Sequence, residues 1–211
     1  MAYYPIFLEM RNRRCAVIGG GPVAEGKVAG LLAAGASVTV ISPEVTAELA
    51  RRAQSGEIRH HAKRYAMGDL AGFDVVFAAT DDEAVNSAVT REARQRGVWI
   101  NVADSPLRCD FILPSVLRRG DVTIAISTGG KSPALARMVR EDLESYLPEN
   151  LGLLLEAAGE VREELRQRGF VISYYLWREA LRGEVRAQVE RAGIAAAKEF
   201  LLKELEARAC R

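Results

Sequence analysis

The chain has 211 residues, 49% of them hydrophobic, with 29 basic and 28 acidic side chains and a formal net charge of +1. That balance gives no global electrostatic case for nucleic-acid binding and argues against a highly charged disordered chain. Cys15, Cys109 and Cys210 are too scattered for a disulfide framework or a zinc knuckle. No apolar stretch approaches the roughly 18 residues of a membrane span. Charged residues break up the first fourteen positions, so no signal peptide is expected. These features predict a cytoplasmic protein with no membrane partner.

In chain order, Cys15-Ala16-Val17-Ile18 is a short apolar run stopped by three glycines, which predicts a buried strand. Residues 22–34 have helical spacing, with Pro22 near the start and Gly35 past the end. A strand over 37–41, a helix over 43–54 and a weaker strand over 58–65 follow. Residues 74–79 and 99–103 predict strong strands, and 82–96 the helix between them. This alternation implies a parallel sheet with helices on both faces. The pattern then changes. Residues 111–117 and 122–127 predict two strands joined by Arg118-Arg119-Gly120-Asp121, a hairpin rather than another crossover unit. Residues 133–146 predict a helix ending before Pro148, and the chain beyond 151 is helical with breaks near Gly169 and Gly183. Leu201, Leu202 and Leu205 form an apolar stripe, and Tyr174, Tyr175 and Trp177 read as helix packing, with covering the face of a flat ligand as the alternative.

The expected fold class is α/β: a Rossmann-type nucleotide-binding domain over 1–112, a β-hairpin/helix segment over 113–148, and a small all-helical domain over 149–211. The middle segment is too small to fold alone and needs a surface to pack on, for which a second subunit is a candidate.

Gly19-Gly20-Gly21-Pro22-Val23-Ala24 matches G-x-G-x-x-G/A between a strand and a helix. Glycines let the backbone turn tightly and approach a pyrophosphate, and the helix start offers N–H groups to it. Gly19, Gly21, Pro22 and Val23 are therefore candidate cofactor residues. The second strand ends Ser42-Pro43-Glu44, with Ser42 at the position where ribose-binding folds often place an acid. No Arg or Lys follows to hold a 2′-phosphate, which favours NAD over NADP. Thr80, past the fourth strand, is a further candidate, whereas Asp81 or Asp82 reads as the cap of the next helix. Ser127, Thr128, Gly129, Lys131, Ser132 and Arg137 suggest a second anion-binding loop, with backbone N–H groups exposed by Gly129 and Gly130 and charge from Lys131, Arg137 and Arg140. Arg108, Arg118 and Arg119 could add to the same field. The competing reading of the loop is a solvated helix start. His60 and His61 are strand neighbours pointing to opposite faces, so no metal site is expected.

Four stretches together carry a resemblance: Pro5-Ile6-Phe7-Leu8, Gly19-Gly20-Gly21-Pro22-Val23-Ala24-Glu25-Gly26-Lys27, Asn101-Val102-Ala103-Asp104, and Ser127-Thr128-Gly129-Gly130-Lys131-Ser132-Pro133-Ala134-Leu135-Ala136-Arg137. Over about residues 1–150 the chain resembles the precorrin-2 dehydrogenase/sirohydrochlorin ferrochelatase family, which includes the N-terminal module of sirohaem synthase. The resemblance implies NAD-dependent oxidation of precorrin-2 to sirohydrochlorin, a homodimer interlocked through the central region, and a carboxylate needed for catalysis at Asp104. It places Asn101 beside the cofactor and the tetrapyrrole carboxylates at the Ser127–Arg137 stretch. Many members also insert Fe²⁺, with Co²⁺ as another possible metal substrate; others only oxidise. No methyltransferase domain follows, so methylation is expected from another protein. The family often has a second serine, open to phosphorylation, where Thr128 stands. Taken alone, Asp104 before Ser105-Pro106 reads equally as a turn-capping aspartate. The alternatives are an NAD-sensing regulatory module without turnover, against which Ser42 counts, and another oxidoreductase on the same fold.

Overall fold

The computed structural model describes residues 3–209, so Cys210 lies outside the described residues. The chain divides into two compact units, one ending at Leu113 and the other starting at Pro114. The first is built on β1 (Arg14–Ile18), β2 (Ser37–Ile41), β3 (Arg59–His61), β4 (Val75–Ala78) and β5 (Trp99–Val102). They form a five-stranded parallel sheet in the order β3-β2-β1-β4-β5. The connections are α1 (Pro22–Ala33), α2 (Ala47–Gln54) and α3 (Glu83–Arg96).

Side chains alternate across each strand, and both faces are buried. Cys15, Val17, Val38, Val40, Val75 and Phe77 face one way and pack against Ala24, Val28 and Leu31 of α1 and Leu49 of α2. Ala16, Ile18, Ile41, Val76, Ala78 and Ile100 face the other way and meet Val89 and Ala93 of α3. Burying each large aliphatic side chain contributes about 2 kcal/mol. The chain runs outward from β1 to β3, then returns to lay β4 against the other side of β1. Ligands bind at such a switch point, outside the carboxyl ends of the strands. The loop between β3 and β4 is held by Glu92, whose carboxylate accepts from the Tyr65 hydroxyl at 2.5 Å, Gly68 N–H at 2.9 Å, Leu70 N–H at 3.3 Å and Arg96 Nε at 2.6 Å.

In the second unit, β6 (Ser115–Arg119) and β7 (Val122–Ile126) form an antiparallel hairpin closed by Gly120-Asp121. Gly120 has φ +56, and a Cβ built on it would lie 3.0 Å from Cα of Gly152. That glycine pair lets the hairpin turn sit directly on α5 (Leu151–Gln167). Helix α4 (Pro133–Tyr146) follows the hairpin, and α6 (Tyr174–Arg182) and α7 (Val185–Ala209) complete the unit. Leu154, Val161 and Leu165 of α5 share a core with Val189, Leu201 and Leu205 of α7. No helix among the described residues is long and apolar enough to cross a membrane.

The architecture is the expected α/β parallel sheet followed by a hairpin and helices, with local differences. Helix α2 starts at Ala47 rather than near Pro43, because the Thr46 hydroxyl caps it by accepting Leu49 N–H at 3.3 Å. The weak strand over 58–65 shrinks to β3, and Tyr65 becomes a loop anchor. β6 begins at Ser115 instead of 111 and runs through Arg118 and Arg119, which were expected in the turn. Pro114, with no N–H to give a ladder, stands just before it. Gly193, at φ +77, puts an unforeseen kink inside α7. Tyr174 and Tyr175 do not pack: they are 80% and 65% exposed, whereas Trp177 joins the helical core.

Candidate active site

Three strand ends of the first unit converge on the glycine loop. Gly19 leaves β1 at φ +121, and a Cβ there would fall 2.1 Å from the carbonyl oxygen of Ala79, just past β4. A Cβ on Gly20 would fall 2.0 Å from the carbonyl oxygen of Glu44, just past β2. A Cβ on Gly21 would meet nothing within 4 Å. The first two glycines are thus required by neighbouring backbone, and the third opens onto space. Helix α1 begins at Pro22 with no side-chain cap, which leaves the N–H of exposed Val23 free of a capping hydroxyl, while Ala24 is buried. An uncapped helix start behind a glycine loop fits the pyrophosphate of a dinucleotide.

Gly19, Gly21, Pro22, Val23, Ser42, Pro43, Glu44 and Thr80 are therefore brought to one end of the sheet. Their parts differ. Pro43, Glu44, Gly21 and Val23 are exposed there. Ser42 is 8% exposed and donates its hydroxyl to Glu44 O at 2.7 Å, so it shapes the turn that presses on Gly20. Thr80 Oγ1 accepts Asp82 N–H at 3.0 Å, and Asn86 Nδ2 donates to Thr80 O at 2.8 Å. Asp82 is the N-cap of α3, accepting from Ala84 and Val85. Sequence reasoning missed Thr46 and Glu25: Thr46 N–H donates to Gly20 O at 2.9 Å and its hydroxyl donates to Glu25 at 2.6 Å. Threonine ahead of Ala47-Glu48-Leu49 was the available signal for the first of these.

Asn101 lies on β5, at the edge of the sheet. It is 7% exposed, and its amide nitrogen donates inward to Phe111 O at 3.0 Å and Cys109 Sγ at 3.6 Å. β5 is a sheet edge, and the segment 109–111 closes it mainly with side chains. Ile100 N–H donates to Asp110 Oδ2 at 3.0 Å, Asp110 N–H donates to Ile100 O at 2.9 Å, and Val102 N–H donates to Cys109 Sγ at 3.1 Å. Just past this edge, Asp104 is exposed at φ +56, a left-handed conformation costing a non-glycine residue about 1–2 kcal/mol.

In the second unit, the stretch before α4 bonds mostly to itself. Ser127 Oγ accepts Gly129 N–H at 3.1 Å, so that N–H is not exposed for an anion as expected. The Thr128 hydroxyl accepts Ser132 N–H at 3.1 Å and donates to Ser132 O at 2.9 Å, and Ser132 Oγ caps the helix at Leu135 N–H. Arg137 pairs with Glu141 at 2.8 Å, Arg140 with Glu141 and Glu144, and Arg119 with Glu144 at 3.6 Å. Lys131 is exposed. In the first unit, Arg108 pairs with Glu83. Among the described residues, no group of three or more His, Cys, Asp or Glu side chains could hold a metal ion.

Comparison with known proteins agrees with this geometry. An NAD(P)-binding family model matches residues 6–115, and the central segment of sirohaem biosynthesis proteins matches 119–146. This chain belongs to the NAD(P)-binding family whose model covers residues 6–115. Among its relatives, the siroheme synthase of Methylobacillus flagellatus is 46% identical over 80% of this chain and 36% of its own length. The siroheme synthase of Photorhabdus laumondii is 39% identical over 98% of this chain and 44% of its own. The chain thus spans less than half of these relatives. The solved structure of SirC, precorrin-2 dehydrogenase, superposes with a TM-score of 0.76 at 28% identity, covering 97% of this chain and all of that one.

Proposed function

We propose that the chain oxidises precorrin-2 to sirohydrochlorin with NAD as the acceptor. The observation that carries this reading is the pairing, in one unit, of a dinucleotide-type glycine loop with an exposed carboxylate held at a strand end. Oxidation removes a hydride and a proton from the reduced tetrapyrrole. NAD, when bound, takes the hydride. Gly19 and Gly20 keep the strand ends close, and the uncapped start of α1 at Val23 would hold the pyrophosphate. Asp104 accepts the proton; its exposed position on the turn lets a large substrate reach it. In the second unit, Lys131 and Arg137 are exposed cations of the kind that pair with carboxylates.

The resemblance also supports a cytoplasmic protein and a homodimer, and exposed apolar surface supports the dimer. Leu135 and Met138 of α4 are about half exposed, as is expected of a helix that a second copy covers. Fe²⁺ or Co²⁺ insertion into the product is a second activity of the same proposal, with the metal as substrate.

The test is anaerobic turnover of purified protein with enzymatically generated precorrin-2 and NAD, followed by absorbance. NADH and sirohydrochlorin in equal amounts are expected, and added Fe²⁺ or Co²⁺ then tests insertion. Tight NAD binding without turnover of an active substrate would replace this reading with an NAD-sensing module.

A further inference from the structure

The thiol of Cys109 lies at the centre of the turn that carries Asp104. Its sulfur accepts Val102 N–H at 3.1 Å, and its S–H faces two carbonyl oxygens, Val102 O and Ser105 O, each at 3.3 Å. Asn101 Nδ2 donates to the same sulfur at 3.6 Å. Val102 precedes the turn and Ser105 closes it, with Ser105 N–H donating to Val102 O at 3.4 Å. One side chain therefore ties together both ends of a turn whose middle residue sits at φ +56. A residue in that region persists only where its surroundings over-determine it. Asp110, the next residue, fixes the sulfur against β5 through both of its bonds to Ile100. Burial pushes the Cys109 thiol above its ordinary value, which keeps the S–H donor in place at neutral pH.

We infer that Cys109 is a positioning residue: its thiol bridges Val102 and Ser105 and so holds the Asp104 carboxylate where precorrin-2 oxidation needs it. This rests on the proposed dehydrogenase activity and deepens it. The sulfur does no chemistry itself. It does for the edge of β5 what a neighbouring strand would otherwise do, and a misplaced catalytic group loses rate steeply.

The test compares Cys109→Val, which fills the space without a donor, with Cys109→Ser, which keeps a donor in a smaller side chain. Cys109→Val lowers kcat by about ten- to a hundred-fold, leaves the KM for NAD unchanged, and speeds amide exchange at Ser105. Cys109→Ser keeps kcat within about threefold, since its hydroxyl retains both bonding roles. In an Asp104→Asn background Cys109→Val causes no further loss, because both act through one carboxylate. If valine overfills the site and the protein does not fold, Cys109→Ala takes its place with the same expectations. A space-filling role would reverse the order, with valine better than serine, and overturn the assignment. Losses that multiply with Asp104→Asn would overturn it as well. No turnover by the unsubstituted chain would instead overturn the dehydrogenase reading itself, whereas normal turnover there and in Cys109→Val overturns only the role of Cys109.

Discussion

Two glycine loops in this chain look alike in sequence and are built for opposite purposes. Both precede a helix with proline at its first position, α1 at Pro22 and α4 at Pro133. In the first loop, Gly19 and Gly20 are pressed against carbonyls from two other strand ends, and no side chain caps the helix. In the second, a Cβ on Gly129 or Gly130 would meet nothing within 4 Å, and Ser132 caps the helix. The first loop is held by the sheet around it, with Gly19 N–H donating to Ile41 O at 3.1 Å, and no hydroxyl caps its helix start. In the second, hydroxyls already take the N–H groups of Gly129, Ser132 and Leu135. A glycine-rich helix start is therefore not by itself an anion site; what decides is whether hydroxyls already occupy the N–H groups.

The difference predicts unequal responses. Gly20→Ala drives a methyl into Glu44 O, so it should cost about 3 kcal/mol or more of stability and weaken NAD binding at least about a hundredfold, read by calorimetry. Gly130→Ala, with open space around it, should cost about 1 kcal/mol for its positive φ and leave NAD affinity unchanged. Equal effects on NAD would erase the distinction between the loops. Asp104→Asn should lower kcat by about a hundredfold with the NAD dissociation constant intact, separating the two halves of the first unit's site.

The units should also differ in acid. Burial raises the cost of charging Glu92, but bonds from Tyr65, Gly68, Arg96 and Leu70 outweigh it and hold the carboxylate below its ordinary range. Its stabilisation is therefore full above the unfolded value of about 4.3 and is lost as pH falls through the lower folded value. Ion pairs of the second unit, such as Arg166 with Glu163 and Lys203 with Glu199, are solvent-exposed and contribute little. Trp99 lies in the first unit and Trp177 in the second, so single-tryptophan variants report each separately. Urea unfolding at falling pH should weaken the Trp99 signal first, and Glu92→Gln should cost about 2 kcal/mol near neutrality and flatten that dependence. The smallest expected effect is Ser132→Ala: about 1 kcal/mol for a lost cap, seen as a lower melting temperature, with NAD binding untouched.

By itself the sequence determined the order of strands and helices in the first unit, the glycine loop and the bounds of α4. These follow from apolar period and from glycine, proline and capping residues, which act over a few positions. It also marked Gly19, Gly21, Ser42, Thr80 and Asp104 as residues at strand ends. Only the tertiary structure decided which of them face outward. Asn101 turned inward because Phe111 O and the Cys109 sulfur return to the β5 edge, and Ser42 was tied to the turn over Gly20. Tyr174 and Tyr175 looked like packing residues, but Trp177 took the core-facing position of α6 and left them outside. Whether a polar group is open or already bonded depends on partners distant along the chain, and local pattern carries no record of those partners.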